Sequence, residues 1–211
     1  MKLCMFHPIG HPMERGWVGR IDGARVVQLA AQTLQSFFTG GGSAREHAEY
    51  ALGEVVLLAP VLHPPSVRMF DEQSSFAFAN PAAIVGPGAK VPRDDRSQRL
   101  VVALRIAVVM GAGAEIGGFT LLAEWRDPTR EPPKDRDFAL GLGPVVVTPD
   151  EFADDSGFDW AAAAALAAAG THLYPGDLLA GPVREERDVR VGDSVPLEVD
   201  GIGILEQRVA G

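Results

Sequence analysis

The chain has 211 residues, of which 46% are hydrophobic, so it is long enough to bury a sizeable core as one main domain with a small appendage. Nineteen Lys and Arg residues against 28 Asp and Glu residues give a formal net charge of −9, which argues against nucleic acid or an anionic membrane surface as a partner. The single cysteine, Cys4, excludes a disulfide framework, and residues 1–8 lack the apolar core of a signal peptide, so we expect a cytoplasmic protein. The longest helix-like apolar run, residues 160–170, is too short and too rich in alanine to cross a membrane.

Residues 1–62 are predicted to form a small N-terminal α/β appendage that begins with a strand meander. The β-prone runs are residues 2–6, 16–21 and 24–29. Asp22-Gly23, between the second and third runs, is typical of a tight β-hairpin.

Two helices are predicted to follow the meander. The first covers residues 30–38 and is ended by the glycines at 40–42. The second covers residues 44–52, with Ser43 as N-cap and Glu46 at the capping-box position.

Residues 63–211 are predicted to form the larger domain. The strand before it, residues 55–62, ends at Pro64-Pro65, a rigid exit that suits a domain boundary. A helix is predicted over 161–169, and residues 126–136 form a charged surface loop or lid. The predicted strands of this domain are 76–78, 83–85, 100–110, 119–122 and 143–148, with three more in the tail. Many short strands and few helices predict a β-rich α+β fold, with the sheets closed into a barrel or stacked.

The strand over residues 100–110 carries one charge, Arg105, within an otherwise apolar run. Because side chains alternate along a strand, Arg105 shares a face with Ala103 and points into the interior. An unpaired buried guanidinium would cost several kcal/mol, so a carboxylate should face it. Glu124, which closes the next apolar strand, is the predicted partner.

The order of segments along the chain resembles that of the fumarylacetoacetate hydrolase family. The segments that carry the resemblance are GWVGRIDGARVVQL, LLAPVLHPPSVRMF, FANPAAIVGPGAKV, LRIAVVMG, GGFTLL, KDRDFALGLGPVVVTPDE, LYPGDLLAG and VGDSVPLEVDGIGILEQRV. The resemblance implies a barrel-like β-roll that pairs into homodimers. It also implies an enzyme that hydrolyses, decarboxylates or isomerises 1,3-dicarbonyl and 2-oxo acids, with a divalent metal polarising an enolisable carbonyl.

The chain departs from the family at the residues that the resemblance marks as functional. Two glutamates that bind Mg²⁺ or Mn²⁺ in the family correspond to Ala103 and Arg105, and the family's third ligand corresponds to Glu124. Mg²⁺ needs oxygen ligands and would be repelled by an arginine, so we expect no metal and no other cofactor. The family's His–Glu pair has no counterpart in the short segment after PSVRMF, whereas Lys134 matches the family lysine.

Three residues are predicted to be catalytic, and each has a structural alternative. Arg105 and Glu124 form either a structural ion pair or a metal-free electrophile with its partner carboxylate. Lys134 is either a solvated loop residue or, if desolvated near Arg105, an acid–base group with a lowered pKa.

A second set of residues is predicted to bind a small-molecule substrate. Asp71 and Glu72 lie where the family's catalytic segment lies, although they also fit ordinary loop charges, and Arg68 precedes them. Trp125 is suited either to wall an apolar pocket or to pack in the core or under a lid. The predicted substrate-binding residues are Arg68, Asp71, Glu72, Ala103 and Trp125.

These patterns leave three hypotheses about function. The preferred one is a metal-independent isomerase, decarboxylase, lyase or cyclase that acts on an apolar, enolisable or polyunsaturated small molecule. The second is a hydrolase whose metal is held by another carboxylate, such as Asp71 or Asp127. The third is a catalytically silent binding or scaffold protein.

Overall fold

The computed structural model describes residues 1–92, 97 and 99–210. Within these residues the chain forms two α-helices, Leu34–Thr39 (α1) and Trp160–Ala168 (α2), and is otherwise dominated by strands. The first nine strands are Lys2–Pro8 (β1), Trp17–Asp22 (β2), Arg25–Leu29 (β3), Glu46–Ala51 (β4), Val55–Leu58 (β5), Val67–Glu72 (β6), Ser75–Ala79 (β7), Ile84–Val85 (β8) and Lys90–Val91 (β9). The other six are Leu100–Met110 (β10), Ile116–Arg126 (β11), Leu140–Val147 (β12), Leu178–Val189 (β13), Ser194–Val199 (β14) and Gly203–Val209 (β15).

Twelve of these strands form one sheet and three form a second. The large sheet has the order β4-β3-β2-β1-β12-β11-β10-β13-β6-β7, with β5 paired to β1 and β8 to β12. The small sheet has the order β14-β15-β9. The antiparallel pairing of β1 with β12 joins the N-terminal strands to the rest, while the division into residues 1–62 and 63–211 stays a prediction.

The predicted N-terminal meander is confirmed, but the helix predicted over 44–52 is wrong. The β2–β3 hairpin turns at Gly23-Ala24, directly after the predicted Asp22-Gly23 signal begins, with Asp22 opposite Arg25. The segment after Ser43 forms strand β4, which pairs with β3, so Glu46 is a strand residue and not part of a capping box. Ladder hydrogen bonds to β3 outweigh the helix propensity that residues 44–52 have by themselves.

Strand β10 lies at the centre of the fold, between β11 and β13. All eleven of its residues are buried, as predicted for this apolar run. Its two faces belong to different hydrophobic clusters: Leu104 and Ile106 pack in one, and Ala107 and Val109 in the other. The predicted alternation is therefore confirmed.

Strand β11 is longer than predicted and extends to Arg126. Glu124 and Trp125 therefore lie inside a strand, on opposite faces of the sheet. The predicted helix in the alanine-rich segment is confirmed as α2, which Asp159 caps by accepting a hydrogen bond from the Ala162 amide. No helix among the described residues is long and apolar enough to span a bilayer.

Candidate functional site

The predicted pairing of Arg105 with Glu124 is confirmed. Cross-strand register puts Glu124 of β11 opposite Ala103 of β10, so Arg105 is its diagonal neighbour on the same face. Arg105 Nε donates to Glu124 Oε2 at 2.9 Å, and Nη2 lies 2.9 Å from the same oxygen. Both side chains are only 2% exposed, so their opposite charges compensate each other in a water-poor environment.

The rest of the Arg105 guanidinium is also bound by protein acceptors. Nη1 donates to the carbonyl oxygens of Phe70 at 3.1 Å and Gly181 at 2.9 Å. Nη2 donates to Asp71 Oδ1 at 2.7 Å. Together with the two contacts to Glu124, these interactions match the five N–H groups of the side chain. Arg105 therefore joins β10, β11, the end of β6 and the β13 backbone.

Asp71 is the exposed member of this cluster. It lies near the end of β6, where the sequence placed a loop, and its carboxylate is 75% exposed although Oδ1 is bound to Arg105. The next residue, Glu72, is also exposed, and Ser75 Oγ donates to its Oε1 at 3.3 Å. Of these two predicted residues, only Asp71 is brought to the Arg105–Glu124 pair.

Arg136 also belongs to the cluster, although the sequence did not single it out. Its Nη1 lies 3.5 Å from Glu124 Oε1, its Nε donates to Asp135 Oδ2 at 2.8 Å, and its side chain is 48% exposed. The hydrogen bond to Asp135 raises the pKa of Arg136, with further contributions from the charges of Glu124, Asp135 and Asp71, so this guanidinium stays charged. The sequence signal that could have identified Arg136 is its position in KDRDFALGLGP, two residues after Lys134.

Lys134, for which the sequence left open a solvated loop position or a desolvated acid–base role near Arg105, is exposed. Its side chain is 64% exposed, and Nζ donates to Asp137 Oδ2 at 2.7 Å, three residues along the same loop. The alternative interpretation, a solvated loop lysine, fits this geometry.

Two other predicted binding residues are buried in the structure. Trp125 packs in the hydrophobic core on the opposite face of β11 from Glu124, and its Nε1 donates to Gln207 Oε1 at 2.6 Å. The pocket-wall interpretation of Trp125 is therefore wrong and the core alternative is correct. Ala103 is fully buried opposite Glu124, so it leaves room beside the ion pair but offers no polar group.

Arg68 belongs to a different polar cluster from Arg105. Its Nη1 donates to Ser66 Oγ and lies 3.9 Å from Asp177 Oδ2, while Ser66 Oγ donates to Asp177 Oδ1 at 2.5 Å. The guanidinium also lies over the rings of Phe76 and Phe78, at 5.7 and 5.4 Å from their centroids. These contacts make Arg68 a packing residue between β6 and the start of β13.

The cluster does not fit the divalent metal that the resemblance implies. Glu124 Oε2 already binds two guanidinium nitrogens, and Asp71 is bound to the same guanidinium, so a cation at these oxygens would face a fixed positive charge. Asp127, the alternative carboxylate, accepts hydrogen bonds from Ser97 and Thr129. Among the residues that the structure describes, no group of three or more His, Cys, Asp and Glu side chains is arranged to hold a metal ion.

A cleft of about 540 Å³ adjoins the cluster at Gly181. Gln73 lines it two residues after Asp71, and Phe158 and Trp160 supply aromatic walls. A second cavity of similar volume lies between β1, the residues after β5, and the Gly86-Pro87 turn. That cavity is lined mainly by apolar side chains and shares no lining residue with the Arg105 cluster.

Comparison with known proteins finds similarity of structure only. No protein-family model matches the chain, and no curated protein matches it. The fold is similar to maleylpyruvate hydrolase from Sphingobium sp. SYK-6, with a TM-score of 0.79, 20% identity, and coverage of 100% of this chain and 99% of that one. It is also similar to 2-hydroxyhepta-2,4-diene-1,7-dioate isomerase from Mycobacterium marinum, with a TM-score of 0.79, 19% identity, and coverage of 100% and 98%.

A third similar structure is 2-keto-3-deoxy-D-arabinonate dehydratase complexed with magnesium and 2,5-dioxopentanoate, with a TM-score of 0.81, 14% identity, and coverage of 100% and 99%. These structures share the β-rich architecture of this chain at full coverage, so the predicted fold class is confirmed. The likeness is one of fold, because the identities lie at 20% or below.

Proposed function

We propose that this protein is a metal-independent enzyme that moves a proton on a neutral, enolisable carbonyl compound, with Asp71 as the acid–base group. The observation that carries the proposal is the position of Asp71, which is 75% exposed yet held at 2.7 Å by the buried Arg105. An exposed carboxylate with a fixed orientation is what proton abstraction next to a carbonyl requires. The fold neighbours, which include a hydrolase, an isomerase and a dehydratase, support an enzyme on this scaffold.

Arg136 is the proposed electrophile. It is half-exposed, it stays charged, and it contacts Glu124 beside Asp71, so its N–H groups are suited to donate to a developing enolate oxygen. Arg105 and Glu124 are positioning residues in this proposal, since Arg105 has donated its N–H groups to protein acceptors.

The reaction is a tautomerisation. The Asp71 carboxylate removes a proton from the carbon next to the carbonyl, and the electrons of that C–H bond form the C=C bond of an enolate whose oxygen accepts from Arg136. Asp71 then returns the proton to the oxygen, which gives the enol, or to a conjugated carbon, which gives an isomer. The negative charge moves from Asp71 to the substrate and back, so the total charge of the site does not change.

The charge of the cluster favours a neutral substrate. Arg105 and Arg136 contribute two positive charges, and Glu124, Asp71 and Asp135 contribute three negative charges, which leaves a formal charge of −1. A substrate that enters as an anion would be repelled by this excess.

The test measures loss of the enol absorbance of acetylacetone after dilution into buffer, with protein treated with EDTA and dialysed. We expect catalysis above the buffer rate, with Asp71→Asn lowering it by about 10²–10⁴-fold and Arg136→Met by about 10²–10³-fold. Glu185→Gln and Arg187→Met are matched controls, because these residues form an exposed ion pair on β13. Loss of activity in Lys134→Gln with retention in Asp71→Asn would move the acid–base role to Lys134.

A catalytically silent binding protein is the second candidate function. The observation that favours it is that Arg105, which lies at a family metal position, is bound as a structural side chain would be. Binding of a 1,3-diketone with no turnover in the same assay would favour this candidate over the enzyme.

A further inference from the structure

We propose that the cleft walled by Phe158 and Trp160 binds the tail of the substrate, and that this tail is aromatic or conjugated and uncharged. This inference rests on the proposed function, since it places the reacting carbonyl at Asp71 and the tail in the neighbouring cleft. It narrows the substrate to an aryl-substituted or similarly conjugated 1,3-diketone.

The aromatic wall packs on Phe70 and Gly181, the two residues whose carbonyl oxygens accept hydrogen bonds from Arg105. The Phe158 ring packs edge-on against Phe70 at 5.8 Å, and a Cβ at Gly181 would lie 2.9 Å from Trp160 Cη2. Trp160 therefore packs directly on the Gly181 backbone, which any side chain would prevent. Because Arg105 also binds Asp71, the same guanidinium connects the proposed acid–base group to the cleft wall.

The two rings are fixed before any ligand enters. Phe158 and Trp160 pack edge-to-face at 4.8 Å, and Trp160 Nε1 donates to Asp154 Oδ2 at 2.9 Å. Gln73 donates to the Asp159 carbonyl at 2.9 Å and accepts from the Asp159 amide at 3.0 Å. These two hydrogen bonds join the segment that carries Phe158 and Trp160 to the turn after Asp71. A preorganised aromatic wall lowers the entropy cost of binding a flat ligand.

The charges in the cleft do not favour a second carboxylate on the ligand. Arg184 is the positively charged side chain that lines the cleft. Its Nη1 lies 2.7 Å from Asp154 Oδ1, and its Nη2 lies 3.0 Å from Asp155 Oδ1. Burial raises the pKa of Asp154, but hydrogen bonds from Ser156 and Trp160 and the charge of Arg184 outweigh this and lower the pKa, so the carboxylate stays ionised. Arg184 is therefore matched by two carboxylates, and no net positive charge is left for an anionic tail.

The size of the cleft fits one ring. Its volume of about 540 Å³ falls within the range of small-molecule sites, which are mostly apolar with a few placed polar groups. Ile106 and Pro182 add apolar surface to the cleft. Gln73 also lines it, and this residue is only two positions after Asp71 in the chain. A ligand ring packed against the wall that Phe158 and Trp160 form, with its carbonyl chain directed to Asp71, uses both parts of the site.

The test compares the binding of three probes by isothermal titration: acetylacetone, benzoylacetone, and the anionic benzoylpyruvate. We expect benzoylacetone to bind at least about tenfold tighter than acetylacetone and tighter than benzoylpyruvate. Phe158→Leu, which keeps an apolar side chain, should weaken benzoylacetone binding about tenfold and leave acetylacetone binding unchanged. Tyr174→Ala removes an exposed aromatic ring outside the cleft and should change neither affinity.

Binding and turnover separate this inference from the proposed function. Aryl-selective binding that Phe158→Leu abolishes, with no enolisation in any assay, would support the cleft and overturn the enzyme. Enolisation with equal affinity for acetylacetone and benzoylacetone, or tighter binding of benzoylpyruvate, would overturn the cleft and leave the enzyme. An unfolding temperature for Phe158→Leu close to that of the parent excludes misfolding as the cause of lost binding.

Discussion

Arg105 and Glu124 lie diagonally across β10 and β11, with two guanidinium nitrogens 2.9 Å from one carboxylate oxygen and both side chains 2% exposed. In the family that the sequence resembles, these positions hold two metal-binding carboxylates. The resemblance implies that Arg105 takes the place of one of these carboxylates and of the cation that the two would share. The charges of Arg105 and Glu124 are balanced within this pair.

The two members of the pair should differ in their contribution to stability. Arg105→Leu leaves the buried Glu124 with only the 3.5 Å contact to the half-exposed Arg136 and removes the donor to two carbonyl groups, so we expect a loss of about 3–5 kcal/mol. Glu124→Leu should cost less, about 1–3 kcal/mol, because Arg105 keeps Asp71. The double variant should recover part of the loss, as measured by urea unfolding. Equal stability of both single variants and the parent would contradict the buried pair.

Restoring carboxylates at the family positions should create a metal site. Ala103→Glu with Arg105→Glu would place two carboxylates beside Glu124 on one sheet face, and Mn²⁺ should then raise the unfolding temperature. The parent and the single variant Ala103→Glu, which keeps Arg105, should show no shift with Mn²⁺ or Mg²⁺. A metal-dependent shift in the parent would sink the proposal of metal independence.

Trp125 should matter for stability and not for ligand binding. Trp125→Phe removes the donor to Gln207 Oε1 inside the core, and we expect a loss of about 1–3 kcal/mol in the free energy of unfolding. Combining it with Gln207→Leu should reduce the loss, since Gln207 Oε1 is then no longer left in the core without its donor. Affinity for benzoylacetone is the second measurement, and a change there without a change in stability would return Trp125 to the binding site.

Cys4 should be unreactive in the folded protein. It is buried in β1, and burial raises the pKa of its thiol from 9.0 to about 12. Iodoacetamide at pH 8 should therefore label it only through unfolding. The Cys4 thiol ionises at a lower pH in the unfolded chain than in the folded protein. The free energy of unfolding should therefore be unaffected by this group below pH 9 and should fall as the pH rises from 9 towards 12. Cys4→Ala should lack this component of the pH dependence, and rapid labelling of native protein would contradict the placement.

The homodimer that the family resemblance implies stays a prediction, and β7 is a surface suited to it. This strand ends the path of the large sheet, and its Phe78 is 70% exposed. Light scattering at micromolar concentration should give twice the chain mass, and Phe78→Lys should reduce it towards the monomer. Ile204→Lys, an exposed position on the small sheet, is the control. A monomeric mass for the parent would refute the prediction.

The parts of the site that lie on neighbouring strands could be predicted from the local sequence pattern. The apolar run around Arg105 defines a buried strand, and strict alternation assigns Arg105 and Ala103 to one face. Glu124 follows because β10 and β11 are joined by a short connection and so pair as antiparallel neighbours. The hairpin at Asp22-Gly23 could be predicted for the same reason, since turn chemistry acts over a few residues.

Long-range contacts account for the parts that the sequence missed. The approach of Asp71 to Arg105 depends on β6 lying beside β13, and that of Arg136 on the path of a charged loop with no periodicity. The face of Trp125 depended on where β11 ends, and residues 44–52 form a strand only because β3 is there to pair with them. The sequence by itself determined that residues 100–110 form a buried strand and that Arg105 needs a partner, because burial free energy follows local composition and period. Only the tertiary structure decided which exposed charges and aromatic rings meet that pair, because their proximity depends on the pairing of strands far apart in the chain.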